Sequence, residues 1–372
     1  MKVGVPKEIK DNEFRVGLTP ESVHELIAHG HEVIVERGAG QGIGAAEGQY
    51  QAAGAQVVET ASAVFEAAEL IVKVKEPQAE ERAMLRREHV LFTYLHLAPD
   101  AAQTRDLVAS GAVCIAYETV TSPSGGLPLL APMSEVAGRL SVQAGAHCLE
   151  RAHGGKGKLL GGVPGVDCAK VVIIGGGVVG THAAHIATGM GADVWVIDNS
   201  VDSLTQLWTH FGRSLHTVMS NRASLERHVR EADLVIGGVL VPGAAAPKLV
   251  TREMIASMEA GSVVVDVAID QGGCFETSHA TTHSDPTFVV DNVVHYCVAN
   301  MPGAVPRTST YALNNVTLPH VLALCDKGYV RALSDDAHLR EGLNVHAGNI
   351  TNRRIADALG YEFVDASQAI LE

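Results

Sequence analysis

The apolar segment Lys170-Val171-Val172-Ile173-Ile174 runs directly into Gly175-Gly176-Gly177-Val178-Val179-Gly180. Its β-branched residues read as a buried strand, and the stretch Val178 to Gly189 reads as the helix that leaves the turn. A second apolar segment, Val194 to Ile197, ends in Asp198. Gly175, Gly177 and Gly180 fill the three places of the G-x-G-x-x-G dinucleotide fingerprint. The first glycine allows a tight turn, the second lets a pyrophosphate approach the backbone, and the third lets helix pack close to strand. Unpaired N–H groups at the helix N-terminus complement the anion. Glycine spacing alone is a weak signal; the flanking strand, the helix and the acid make it specific. Asp198 suits a ribose hydroxyl pair, and no Arg follows it closely, so the pattern favours NAD over NADP.

A chain of 372 residues exceeds one core, so about two domains are expected. Hydrophobic residues make up 47% and charged residues 19%, the composition of a globular chain rather than a disordered one. The formal net charge of −14 argues against nucleic acid or an anionic membrane as partner, since both need basic surface. The longest stretch without acids, Lys or Arg, Val171 to Ala192, carries six glycines and two histidines and is a poor membrane span. The opening MKVGVPKEIK has no apolar signal core and reads as a first strand. Six scattered cysteines form no C-x-x-C, which points to reduced, structural thiols and a cytoplasmic location.

Before the fingerprint, apolar runs at Val3–Val5, Val33–Val35, Leu70–Val74, Val90–Leu95 and Val113–Ala116 alternate with helical patterns such as Glu21–Ala28, opened by Thr19-Pro20 and closed by Gly30. A long helical pattern from about Pro132 to Ala152 follows, with Ser134 as a cap. After the fingerprint come apolar runs at Leu215–Met219, Leu234–Ile236, Val263–Val267 and Val294–Val298. A helical pattern then runs to about Cys325, followed by a polar C-terminal region. The expected fold is α/β, with two Rossmann-like parallel-sheet domains and an interdomain cleft. Residues 131–304 form the cofactor domain, and residues 1–130 plus 305–372 form a discontinuous substrate domain completed by C-terminal helices. The two halves show no similarity beyond both being α/β.

In parallel sheets, ligands bind beyond the carboxyl ends of strands. Three apolar runs end in reactive polar residues: Lys75 after Leu70–Val74, His96 after Val90–Leu95, and Asp270 after Val263–Ile269. Together with Arg15 they supply a carboxylate clamp, a cation and an acid/base pair. Each also has a plainer reading. Lys75 opens a charged stretch, and His96 is one of 18 histidines. Asp270 before Gln271-Gly272-Gly273 suits a turn, and Arg15 can pair with Glu13 on the surface. His182 with His185, and His279 with His283, lack any metal-site signature, so no metal is expected.

Further stretches carry a family resemblance. They are Val5-Pro6-Lys7-Glu8, Arg15-Val16-Gly17-Leu18-Thr19-Pro20, Lys73-Val74-Lys75-Glu76-Pro77 and Tyr94-Leu95-His96-Leu97-Ala98. To these add Ala131-Pro132-Met133-Ser134-Glu135-Val136-Ala137-Gly138-Arg139, Gly161-Gly162-Val163-Pro164-Gly165-Val166, Asp266 to Gly273, and Val298-Ala299-Asn300-Met301-Pro302. In order and over nearly its whole length, the chain resembles the bacterial alanine dehydrogenase family. The resemblance implies reversible, NAD-dependent oxidative deamination of L-alanine to pyruvate and ammonium, as in alanine catabolism. It implies Arg15 and Lys75 as substrate-binding residues, and His96 and Asp270 as catalytic residues. Cofactor contacts would come from Ser134, Gly175, Gly177, Val178, Val179, Gly180, Asp198 and Ser220. Further contacts would come from Val239, Leu240, Val267, Ala268, Ile269, Asp270, Val298, Ala299, Asn300 and Met301. It also implies a homohexamer. Ser203 and His279 depart from the pattern, standing where relatives can carry basic residues.

Two other enzymes and a structural protein compete with this expectation. A saccharopine-type dehydrogenase shares the two-domain plan but takes a larger substrate. The NAD-binding component of transhydrogenase shares the Gly-Gly-Val-Pro-Gly-Val and fingerprint regions but processes no amino acid; the joint presence of Lys75, His96 and Asp270 argues against it. A structural protein has no need of this polar set at strand ends.

Overall fold

In a computed structural model, residues 1–239 and 246–371 are described. They form two compact units: Met1–Met133 with Val305–Glu372, and Ser134–Ala304. The first unit opens with six strands: β1 Lys2–Val5, β2 Glu32–Glu36, β3 Gln56–Val58, β4 Leu70–Val72, β5 Val90–Thr93 and β6 Val113–Ala116. They lie in the order β3-β2-β1-β4-β5-β6, all parallel. Every residue of β4, β5 and β6 is buried, as expected for inner parallel strands covered on both faces. The helix Pro20–Ala28 starts where Thr19 accepts the Ser22 N–H and Pro20 takes the first turn.

The second unit carries β7 Lys170–Ile174, β8 Asp193–Asp198, β9 His216–Met219, β10 Leu234–Gly237, β11 Val263–Asp266, β12 Thr287–Val290 and β13 Val293–Tyr296. Their order is β12-β13-β11-β10-β7-β8-β9. Six of them, β9-β8-β7-β10-β11-β13, run parallel, and β12 adds an antiparallel edge. Both units therefore repeat the 3-2-1-4-5-6 order of doubly wound sheets, with a switch point beside the first strand of each. This kinship is closer than the sequence patterns suggested.

The chain then returns to the first unit through the helix Pro306–Lys327. It adds not helices alone but two strands, β14 Leu343–His346 and β15 Asn349–Ile350. β14 pairs antiparallel with β6 and β15 with β14, so the expected all-parallel sheet is mixed at this edge. Asn314 on the returning helix accepts the Thr19 N–H at 2.9 Å and donates to the Gly17 carbonyl at 3.1 Å. Thr310 accepts the Val16 N–H at 3.3 Å. The C-terminal segment thus holds the loop that carries Arg15.

Candidate functional site

In the second unit the expected cofactor residues follow neighbouring strands at one edge of the sheet. Ser220 follows β9, Asp198 ends β8, the glycine turn follows β7, and Val239 lies beyond β10. Val267, Ala268, Ile269 and Asp270 follow β11, and Val298, Ala299, Asn300 and Met301 follow β13. Leu240 lies outside the described residues. The turn leaves the sheet at the switch point between β7 and β10, where doubly wound folds bind nucleotides.

The turn has the geometry of a phosphate cradle. Gly175 sits at φ +100°, and a Cβ there would lie 2.9 Å from the Gly238 oxygen. At Gly180 a Cβ would run into the Gly175 carbonyl, so only glycine lets the helix Val178–Gly189 start this close to β7. Gly177, the N-cap, has no atom within 4 Å of the place a Cβ would take. That clearance, at a helix N-terminus with outward N–H groups, fits a pyrophosphate. Asp198 Oδ2 accepts the Gly176 N–H at 2.6 Å and Oδ1 the Ser200 N–H at 2.7 Å. The Ser203 hydroxyl donates to the Gly176 carbonyl at 3.1 Å, and the Ser220 N–H donates to the Asp198 carbonyl at 2.8 Å. Ser203, the departure from the family pattern, thus braces the turn. His279, the other departure, stacks on Phe288 with ring centroids 3.7 Å apart.

Three placements in this unit differ in detail from expectation. Ser134 does not cap its helix, because Ala131–Cys148 has already begun three residues earlier. β11 stops at Asp266, whose buried carboxylate accepts the Ala268 N–H at 3.2 Å and the Cys274 N–H at 3.0 Å. Burial raises the Asp266 pKa, and bonds from the Ser278 side chain and the Phe275 and Cys274 N–H groups offset only part of the rise. Asp266 folds the segment that presents Asp270, which is exposed and accepts the Asn300 N–H at 3.3 Å. Val298 and Met301 are buried, and Ala299 and Asn300 between them are partly exposed.

In the first unit, Arg15, Lys75 and His96 follow the adjacent strands β1, β4 and β5. Arg15 does pair with Glu13, but not on the surface: the two are 2% and 4% exposed. Arg15 Nε donates to Glu13 Oε1 at 2.7 Å and Nη2 to Oε2 at 2.5 Å, while Nη1 reaches Met133 Sδ at 3.1 Å. Burial works against this cation, and the Glu13 bonds and charge more than offset it, so its pKa is raised. β4 ends at Val72, so Lys73 and Val74 are already past the strand. Lys73 is fully buried between Glu8 Oε2 at 3.0 Å and Glu81 Oε1 at 2.6 Å. Those two carboxylates outweigh burial and keep Lys73 a cation, while burial pushes Glu8 upward. Glu8 Oε1 also accepts the Val74 N–H at 2.7 Å and the Lys75 N–H at 3.4 Å. An internal charge cluster thus sets the backbone that carries Lys75, itself half-buried.

His96 is 45% exposed and has a left-handed backbone, φ +50°. Glu118, just beyond β6, holds that conformation. Its Oε1 accepts the His96 N–H at 2.6 Å, and its two oxygens share the Leu95 N–H at 3.3 and 3.2 Å. Oε1 also lies 3.8 Å from His96 Nδ1. The imidazole stacks on Tyr94, with ring centroids 5.8 Å apart and planes within 3°. Tyr94 is itself fixed by donating to the Leu129 carbonyl at 2.6 Å. Glu8, Glu118 and Tyr94 escape a reading of polar residues at strand ends one run at a time, and Glu13 reads only as a surface partner of Arg15. The same rule applied to Val113–Ala116 reaches Tyr117-Glu118.

Residues 4–137 match the family model described as "Alanine dehydrogenase/PNT, N-terminal domain", and residues 141–353 match its "C-terminal domain". The alanine dehydrogenase of Halomonas elongata is 60% identical over 370 residues, covering 100% of both chains. The chain belongs to this family. A solved L-alanine dehydrogenase superposes with TM-score 0.94 at 53% identity, over 97% of this chain and 99% of that one. A transhydrogenase from Sinorhizobium meliloti superposes with TM-score 0.83 at 26% identity, over 94% of this chain and 100% of that one. No described helix is long and apolar enough to cross a membrane.

Proposed function

We infer that this chain is an NAD-dependent alanine dehydrogenase, converting L-alanine and water reversibly to pyruvate and ammonium. The observation that carries the inference is its likeness, end to end, to alanine dehydrogenases at more than half of all positions. We assign the NAD site to the glycine turn Gly175–Gly180, with Val178 and Val179 offering helix N–H groups. Asp198 and Ser220 would face the adenosine side. Ser134, Val239, Leu240, Val267 to Asp270 and Val298 to Met301 complete the assignment. A 2′-phosphate would meet Asp198 with Ser203, not a cation, beside it, which supports NAD rather than NADP.

Arg15 binds the substrate carboxylate in this assignment. Glu13 holds the Nε/Nη2 edge and so fixes the guanidinium plane, and bidentate recognition uses the Nη1/Nη2 edge. Lys75 polarises the carbonyl of pyruvate or orients the same carboxylate. Bound nicotinamide supplies the acceptor for the α-hydrogen of alanine as hydride. Loss of that hydride and an amino proton leaves an imine. Water adds to its carbon, and the carbinolamine then expels ammonia as the carbonyl forms. His96 takes the proton of the attacking water and returns it to the departing nitrogen; Asp270 orients or exchanges protons in the same sequence. A homohexamer in the cytoplasm belongs to the same proposal, by family likeness.

The reverse reaction tests it. NADH should be oxidised only when pyruvate and ammonium are both present, with NADPH about 100-fold poorer or worse because like charges would be juxtaposed. Oxidation with pyruvate alone would indicate a 2-hydroxy-acid enzyme. Hydride exchange between two nucleotides without an amino acid would indicate a transhydrogenase.

A further inference from the structure

The end of the helix Ala131–Cys148 carries three side chains with no part in the deamination. His147 stands in its last turn, Glu150 lies two residues beyond its end, and His153 closes the 3₁₀ turn Arg151–His153. Residues three apart share a face in an α-helix and nearly eclipse in a 3₁₀ turn. Glu150 is the extended link between the two helical pieces, and the turn there brings all three side chains to one side. His147 Nδ1 lies 3.7 Å from Glu150 Oε1, and His153 Nε2 lies 3.8 Å from Glu150 Oε2. The imidazole centroids are 3.7 Å apart, and one donor atom from each residue falls within 4.8 Å of the others.

The backbone beneath is fixed. The Glu150 N–H donates to the His147 carbonyl at 3.1 Å, the His153 N–H to the Glu150 carbonyl at 3.0 Å, and the Gly155 N–H to the same carbonyl at 3.1 Å. The side chains themselves are exposed. They can close by small rotations with little desolvation.

We propose that His147, Glu150 and His153 form a surface site for a late first-row divalent cation: Zn²⁺, Ni²⁺ or Cu²⁺. Imidazole nitrogen and carboxylate oxygen suit these ions, which bind such atoms at about 2.0–2.2 Å. Two ligand atoms at that range from one tetrahedral ion are about 3.4 Å apart. Each imidazole nitrogen is a few tenths of an ångström beyond that from one Glu150 oxygen, and a set of one atom per residue lies within 4.8 Å, so small rotations close the site. Two nitrogens and one oxygen bind the ion, and water fills the remaining positions. The site lies thirteen residues along the helix from Ser134, about 20 Å at the helical rise. It is therefore an exchangeable accessory site rather than a participant in proton transfer.

Zinc binding to the untagged full-length chain, by equilibrium dialysis after chelator treatment, tests this. The comparison is His147→Ala/His153→Ala, with His24→Ala/His210→Ala as a control for the other exposed histidines. Outer-shell contacts alone change metal affinity about 10–100-fold, so losing two direct ligands should weaken the tightest zinc by about tenfold or more. The control should bind as the unaltered chain does. An anomalous zinc peak between His147 and His153 in a soaked crystal would agree. Equal zinc affinity and stoichiometry in both double variants, or zinc only at other histidines, would overturn the proposal.

Discussion

Replacing Glu118 by Gln isolates how the first unit presents its imidazole. The Glu118 carboxylate is 13% exposed and accepts N–H groups from both Leu95 and His96. A glutamine of the same shape keeps one acceptor oxygen but turns its amide nitrogen toward the second N–H. Hydrogen bonds to a charged group are worth about 1.5–3 kcal/mol and neutral ones about 0.5–1.5 kcal/mol, so the retained bond weakens by about 1 kcal/mol. The donor left facing an amide costs a further ~1 kcal/mol or more. The left-handed backbone of His96, φ +50°, then loses the contact that holds it. If about 2 kcal/mol appears in the barrier, kcat falls roughly 30-fold. The bonds of the Glu118 carboxylate go to the Leu95 and His96 N–H groups. KM for pyruvate and the NADH dissociation constant should therefore stay nearly constant. Steady-state pyruvate amination, NADH fluorescence titration and a thermal melt separate the effects. Unchanged kcat with a lowered melting temperature would refute the positioning role and leave Glu118 a structural residue.

Three other outcomes follow from the same geometry. His96→Ala should keep NADH binding by fluorescence and lose most turnover; normal turnover would remove His96 from the acid/base assignment. Arg15→Ala removes the guanidinium that faces the buried Glu13 carboxylate, a loss of about 3–5 kcal/mol, so the paired variant Arg15→Met/Glu13→Gln is the cleaner probe. It should weaken pyruvate far more than NADH, and an equal loss of both would argue for a purely structural pair. Burial alone would raise the Asp233 pKa, but bonds from Lys156 at 2.5 Å, Lys158 at 2.8 Å and the Lys170 N–H at 2.7 Å hold it below its ordinary value. With the folded value below the unfolded one, its stabilisation is present above about pH 3.9 and is lost as pH falls through the folded value. Asp233→Asn should cost about 2–3 kcal/mol at neutral pH and flatten this acid limb in denaturant melts; an unchanged acid limb would contradict it.

The inner strands were legible because buried parallel strands leave unbroken apolar runs, as at Val171–Ile174 and Val263–Val265. The edge strands β3 and β12 leave no such trace. β3 has three residues and β12 four, none of them fully buried. β14 was hidden differently: Asn344 and His346 are buried within it. The Thr119 hydroxyl donates to Asn344 at 3.0 Å and Tyr329 lies 3.3 Å from His346, so polar letters occupy core positions. The strand-end rule singles out Lys75, His96 and Asp270, and Arg15 is added from its own loop. The rule passes over Glu8, which holds Lys73 and the Val74 N–H from another loop, and it reaches Glu118 without showing that Glu118 holds the His96 backbone. Arg15 with Glu13 shows the limit well: the pair was foreseeable from adjacency, whereas its burial was not.

The central claim is oxidative deamination of L-alanine with NAD. Initial rates of NADH formation should be measured with L-alanine, glycine, L-serine, L-lysine and saccharopine, with pyruvate and ammonium assayed as products. L-alanine should be the best substrate, yielding one pyruvate and one ammonium per NADH. Faster NADH formation with lysine or saccharopine, or none with L-alanine, would contradict the account.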